Sequence, residues 1–177
     1  MTASESLRQT WDIVRSEGWH AGGYFHRRIP AAGNLAAYAG LVYPEGYLRI
    51  SLLVDTSAVR AVPLRDESKG YTVDVEQAPV GHPLDSFIHI TARETAFSEL
   101  FAILSADVVE QWVVQDHARS AVMATHRRLQ HWRKFFMRGG CLSREAYIGL
   151  YAELTFLETI LDSGFNAEQA VAAWQGH

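Results

Sequence analysis

The chain has 177 residues, 48% of them apolar, with a formal net charge of −4 and a pI of about 6.0. That length and composition can bury a real core in one domain or two closely packed subdomains, and the mild acidity argues neither for nor against a nucleic-acid partner. A single cysteine, Cys141, excludes an internal disulfide, and no run reaches the roughly 18 to 20 apolar residues of a membrane span.

Taken in chain order, residues 4–17 predict an opening helix with Leu7, Trp11 and Val14 on one face and Gly18 at its end. Its acidic, amphipathic character is unlike a signal peptide. From Trp19 to Arg93 short β-type runs alternate with turn residues. Leu35 to Tyr43 and Tyr47 to Val54 flank Pro44-Glu45-Gly46 and read as a hairpin. In the second run Leu48, Ile50 and Leu52 alternate with Arg49 and Ser51, which predicts one buried and one wet face. Tyr71, Val73 and Val75 alternate in the same way, and Phe87 to Thr91 reads as a further strand. The charged stretch from Val62 to Gly70 reads as a surface loop. After Arg93 the periodicity turns helical: Phe97 to Asp116 as one helix or two broken near Ser105, then Ala118 to Arg138, ended by Gly139 and Gly140.

The charge along the chain is uneven. Between His117 and Arg144 there is no Asp or Glu, while Arg119, Arg127, Arg128, Arg133, Lys134, Arg138 and Arg144 all carry positive charge. Ala118, Val122, Leu129, Trp132 and Phe136 form the apolar side of this helix, so the cations belong to a solvated face or to a phosphate-contacting one. His126 and His131, five apart, stand about 140 degrees from one another and cannot share a metal as an i, i+4 pair can. His20, His26, His82 and His89 have no ligand spacing, and Tyr24, Tyr38, Tyr43 and Tyr47 read as core or sheet-face residues before a base-stacking platform. No P-loop, G-x-G-x-x-G, G-x-S-x-G, H-E-x-x-H or C-x-x-C is present.

In the last segment Leu150, Leu154, Leu157 and Leu161 recur along one helical face, with Ser143 as the cap and Gly164 as the terminator. A short helix from Asn166 follows, burying Ala170, Val171 and Trp174. Glu153 falls about 40 degrees from Leu157, at the border of the apolar stripe. It is either a flank carboxylate reaching water or one held at a cleft, where a metal or catalytic partner would offset its desolvation.

The order L-S-R-E, G-L-Y-A-E-L-T-F-L-E and A-V-A-A-W-Q-G-H resembles the PD-(D/E)XK nuclease-like family of bacterial defence loci, and HRRLQHWRKFF (His126 to Phe136) fits it too. Tyr151 and Ala152 stand where the family has Trp-Gly. The resemblance implies that Glu153 is the helix-borne acid that helps organise Mg²⁺, and that an Asp-Phe and a Glu-x-Lys complete the site beyond His177. On that reading these residues hold no cofactor of their own, Mg²⁺ being implied for a full-length member alone. The chain is then an N-terminal piece that cleaves nothing by itself.

The expected fold is α+β: an antiparallel sheet of about five to six strands, preceded by one helix and followed by a helical region, with residues 1–93 and 94–177 as its two parts. The expected function is a scaffold and DNA-facing domain of a nuclease-like defence protein, with Arg127, Arg128, Arg133, Lys134 and Arg138 as the nucleic-acid surface. The alternative is a module binding other proteins of the same defence system. A cytoplasmic location without membrane contact is expected.

Overall fold

The computed structural model describes residues 2–18, 23–30, 34–60, 62, 64, 66–78, 84–138, 156, 160, 161, 164 and 166, of which 66–67 and 135–138 are described by backbone alone. Helix α1 (Ala3–Glu17) starts on Thr2, whose side chain accepts from the Glu5 amide at 3.2 Å while the Glu5 carboxylate accepts from the Thr2 amide at 2.7 Å. This reciprocal pair satisfies two amides that a helix start leaves unbonded. Strands β1 (Gly23–Arg28), β2 (Ala37–Tyr43) and β3 (Tyr47–Asp55) follow. The β2–β3 hairpin turns at Pro44-Glu45-Gly46, where Gly46 takes φ +74, a conformation that side chains resist. A short helix α2 (Thr56–Val59), the two-residue strand β4 (Asp66–Glu67), β5 (Tyr71–Gln77) and β6 (Asp85–Ala92) complete the sheet, and α3 (Ser98–Val113) and α4 (Ala118–Arg138) complete the described helices.

All six strands form one antiparallel sheet in the order β1-β2-β3-β6-β5-β4. The fold is α+β, as the pattern of strands first and helices afterwards implies. Because side chains alternate across a pleat, the sheet has two distinct faces. The inner face carries Ala39, Leu41, Leu48, Ile50, Leu52, Tyr71, Val73, Ile88 and Ile90, all buried against Leu7, Trp11 and Val14 of α1, Phe101, Leu104, Val108 and Trp112 of α3, and Val122 and Leu129 of α4. Two side chains stitch helices to strands: the Trp11 indole donates to the Arg49 carbonyl at 3.2 Å, and the Tyr71 hydroxyl donates to the Leu129 carbonyl at 2.8 Å.

The structure departs from expectation in two places. The face of β3 expected to be wet is not: Ser51 is fully buried and Arg49 is half-buried. The cause is a second cluster of side chains on that outer face, contributed by β1, β2 and β6, whose pairing has no signature within any one strand. The stretch from Val62 to Gly70 is more than a surface loop, since it contains β4 and buries Val62, Leu64 and Ser68. Of the two expectations for residues 97–116, one helix or two, the structure has one helix over Ser98–Val113, and Ser105 is fully buried inside it.

Residues Met1–Arg138 form one compact unit and Gly139–His177 a second. In the second, Phe156, Ile160 and Leu161 are helical, Gly164 takes φ +92, and its amide donates to the Leu161 carbonyl at 3.0 Å. Leu161, placed by its spacing on the apolar stripe, is 40% exposed. The rest of the predicted 143–164 helix, Glu153 included, and the helix from Asn166 lie outside the described residues. No described helix is long and apolar enough to cross a membrane.

Candidate functional site

Helix α4 presents its apolar residues to the core and its cations in two different settings. Arg119, Arg127 and Lys134 are exposed, and none of them makes an ion pair among the described residues. At 100 degrees per residue they fall within a sector of about 80 degrees, along a line of roughly 22 Å. Arg128 points elsewhere. Its Nε donates to Asp107 Oδ2 at 2.8 Å, its second nitrogen engages Asp107 Oδ1, and the Trp132 indole donates to the same carboxylate at 2.9 Å. Burial pushes the Asp107 carboxyl up, but these donors outweigh it and hold the group below the usual carboxylate range. Arg128 is therefore committed to a contact between helices, and Arg133 is half-buried. The side chain of Arg138 and the whole of Glu153 lie outside the described residues. Beside the Asp107–Arg128 pair, Leu100, Ile103, His131 and Trp132 line an open groove of about 510 Å³ between α3 and α4.

The second concentration of chemistry lies on the outer face of the sheet. Register places His26 opposite Gly40, Gly40 opposite Arg49, and Ser51 opposite His89, so residues far apart in sequence meet on one surface. Tyr24 packs against both histidines, with ring centroids 5.5 Å from His26 and 5.1 Å from His89. Phe87 lies 5.2 Å from His26 and 5.5 Å from His89. Although Phe87 is buried, it stands apart from the inner core. The Arg49 guanidinium sits 4.8 Å above the Tyr24 ring and donates from Nε to Thr91 Oγ1 at 2.8 Å. Among the described residues no carboxylate comes within ion-pair range of it.

Both histidines are pushed toward the neutral form. Burial, and then Arg49, push His26 down; burial, Arg49 and His26 push His89 down to about 3. His89 Nδ1 shares a 2.8 Å hydrogen bond with Ser51 Oγ, and its Nε2 lies 3.5 Å from a Glu76 carboxylate oxygen. With a neutral ring, that last approach is a long polar contact and not an ion pair. Among the described residues His26 Nδ1 and His89 Nε2 are buried without a hydrogen-bond partner. The Ser51–His89–Glu76 line resembles a nucleophile relay in outline, but Ser51 is fully buried and cannot meet a substrate.

A Glu-x-Lys string missed in the sequence does occur, as Glu67-Ser68-Lys69, earlier in the chain than the resemblance would place it. It runs from the edge strand β4 into a turn where Ser68 Oγ accepts from the amides of Gly70 at 3.2 Å and Tyr71 at 3.0 Å. Those bonds make Ser68 a turn residue. Among the described residues no three His, Cys, Asp or Glu side chains converge as a metal ion requires. These residues do not fit a Mg²⁺ centre.

Compared with known protein families, residues 7–177 match the one described as "Putative PD-(D/E)XK family member, (DUF4420)". The chain belongs to that family. No curated protein and no solved structure gives a match. The PD-(D/E)XK match spans both units and every cation of α4, as well as the outer sheet face that the sequence motifs did not single out.

Proposed function

We propose that these residues form the scaffold and DNA-facing part of a nuclease-like defence protein, with duplex DNA lying along α4. The observation that carries the reading is the acid-free stretch of α4 with Arg119, Arg127 and Lys134 turned to solvent on one side. Phosphate contacts by such cations release counterions, so affinity falls steeply with salt and carries little sequence preference. Arg128 contributes by fixing α4 against α3 through Asp107, which orients the helix without touching DNA. Arg133 and Arg138 extend the positive potential of the same helix. Glu153 is assigned the helix-borne acid of the family's Mg²⁺-dependent cleavage, and the described residues take no part in holding that ion.

The test is a salt titration of binding to a 20-base-pair duplex. Arg127→Glu with Lys134→Glu should lower the magnitude of the log–log salt slope by roughly 2 and weaken binding at least tenfold at moderate salt. Unchanged affinity and slope in the double variant, or no affinity in the parent chain, removes the reading. In that event the groove lined by Leu100, Ile103 and Trp132 favours the second reading, a module that docks another protein of the system.

A further inference from the structure

The outer sheet face carries features that α4 leaves unused. Tyr24, His26 and Tyr38 are half-buried and lie side by side, with His26 4.8 Å from Tyr38 and 5.5 Å from Tyr24. Phe87, 5.5 Å from Tyr38 and edge-on to it, forms the floor. Arg28 is exposed and opposite Tyr38 in the β1–β2 register, so the pleat puts its side chain on the same face as Tyr24 and His26. Arg49 completes the cationic side. Across the face, Asp74 and Glu76 are exposed on β5.

We propose that this face binds an unpaired stretch of DNA, with successive bases stacking on Tyr24, His26 and Tyr38 and phosphates drawn toward Arg28 and Arg49. Aromatic rings on a sheet interleaved with arginines are a stacking platform for bases, whose flat faces are free in a single strand and covered in a duplex. The charge pattern fixes where the strand lies: Asp74 and Glu76 repel phosphate from the β5 margin and leave the β1–β2 margin to it. Gly40 belongs to the design, because a Cβ there would sit 2.7 Å from the His26 Cβ and displace the ring from the row. The surface is separate from the exposed side of α4 and does not depend on the duplex reading.

The experiment uses the full 177-residue chain and a 12-nucleotide single strand carrying a central 2-aminopurine, read by emission and by anisotropy. Binding should quench the emission, as stacking on an aromatic ring does. Tyr24→Leu with Tyr38→Leu should weaken binding roughly 5- to 100-fold, while Tyr24→Phe with Tyr38→Phe should stay within about twofold. Arg127→Glu with Lys134→Glu should leave the quench intact, which separates failure here from failure of the duplex reading. No quench with the parent chain overturns the proposal. So does a folded leucine variant that binds as the parent does, or displacement of the strand by an equimolar free nucleotide. Should the leucine variant fail to fold, the parent's emission decides alone.

Discussion

The two faces of the one sheet are built on opposite principles. The inner face is mostly aliphatic, with Tyr71 buried in it and Phe25 and Tyr43 packed at its margin, and α1, α3 and α4 cover it, so its stability comes from apolar area removed from water. The outer face is as crowded, yet it buries imidazoles, a serine and much of an arginine, and it leaves two ring nitrogens without partners. Unpartnered buried polar atoms occur in the helical layer over the inner face as well, at Ser105, Trp112 and Thr125, so what sets the outer face apart is its aromatic and titratable side chains. The two faces therefore differ in chemistry more than in closeness of packing.

The comparison can be broken by substitution. Ile50, fully buried on the inner face, should cost about 3 kcal/mol on truncation to alanine, measured by urea unfolding; a loss under about 1 kcal/mol would mean that the inner face is not the core. Gly40→Ala acts on the outer side. Its new methyl would lie 2.3 Å from the Phe25 carbonyl oxygen, so β1 must shift, at about 2 kcal/mol. Hydrogen exchange should show the amides of β1 losing protection before those of β3, and uniform protection would contradict the close approach.

Acid should discriminate between the faces as well. His89 is held neutral with a pKa of about 3 in the folded chain, whereas an unfolded histidine titrates near about 6.5. Between those values the unfolded chain takes up a proton that the folded one refuses. Stability attributable to His89 is thus fully present above about pH 6.5 and falls by about 1.4 kcal/mol per pH unit as acid is added down to about pH 3. His26 is shifted in the same direction. Unfolding free energies at successive pH values should lose that slope in His89→Gln, and an unaltered slope would show that His89 is not the group responsible. The smallest effect belongs to the surface: Arg8→Ala breaks an ion pair with Glu99 in which both side chains are mostly exposed, and should change stability by less than about 0.5 kcal/mol.

Legibility in the sequence followed locality. Helix α1 was readable from Leu7, Trp11 and Val14; the β2–β3 hairpin from Pro44-Glu45-Gly46; α4 from its apolar spacing and the glycines after Arg138, because each of these signals lies within a few residues of what it specifies. The outer face was not readable. His26 and His89 are separated by two hairpins and meet only through the register of β1, β2, β3 and β6, which no single strand encodes. Similarly, helical spacing placed Arg128 among the cations of α4 but could not show that Asp107, on another helix, had already taken it. The family was legible from short strings near the carboxyl terminus, where Glu153 lies beyond the described residues.

The hydrogen bond from Tyr71 to the Leu129 carbonyl ties the middle of α4 to the sheet, between the positions of Arg127 and Lys134. It braces that helix, so that on the proposed DNA-facing reading its guanidinium and ammonium groups would surrender less freedom on meeting a polyanion. If that reading holds, removing one phenolic oxygen by Tyr71→Phe should shorten the lifetime of the DNA complex while leaving its rate of formation almost untouched.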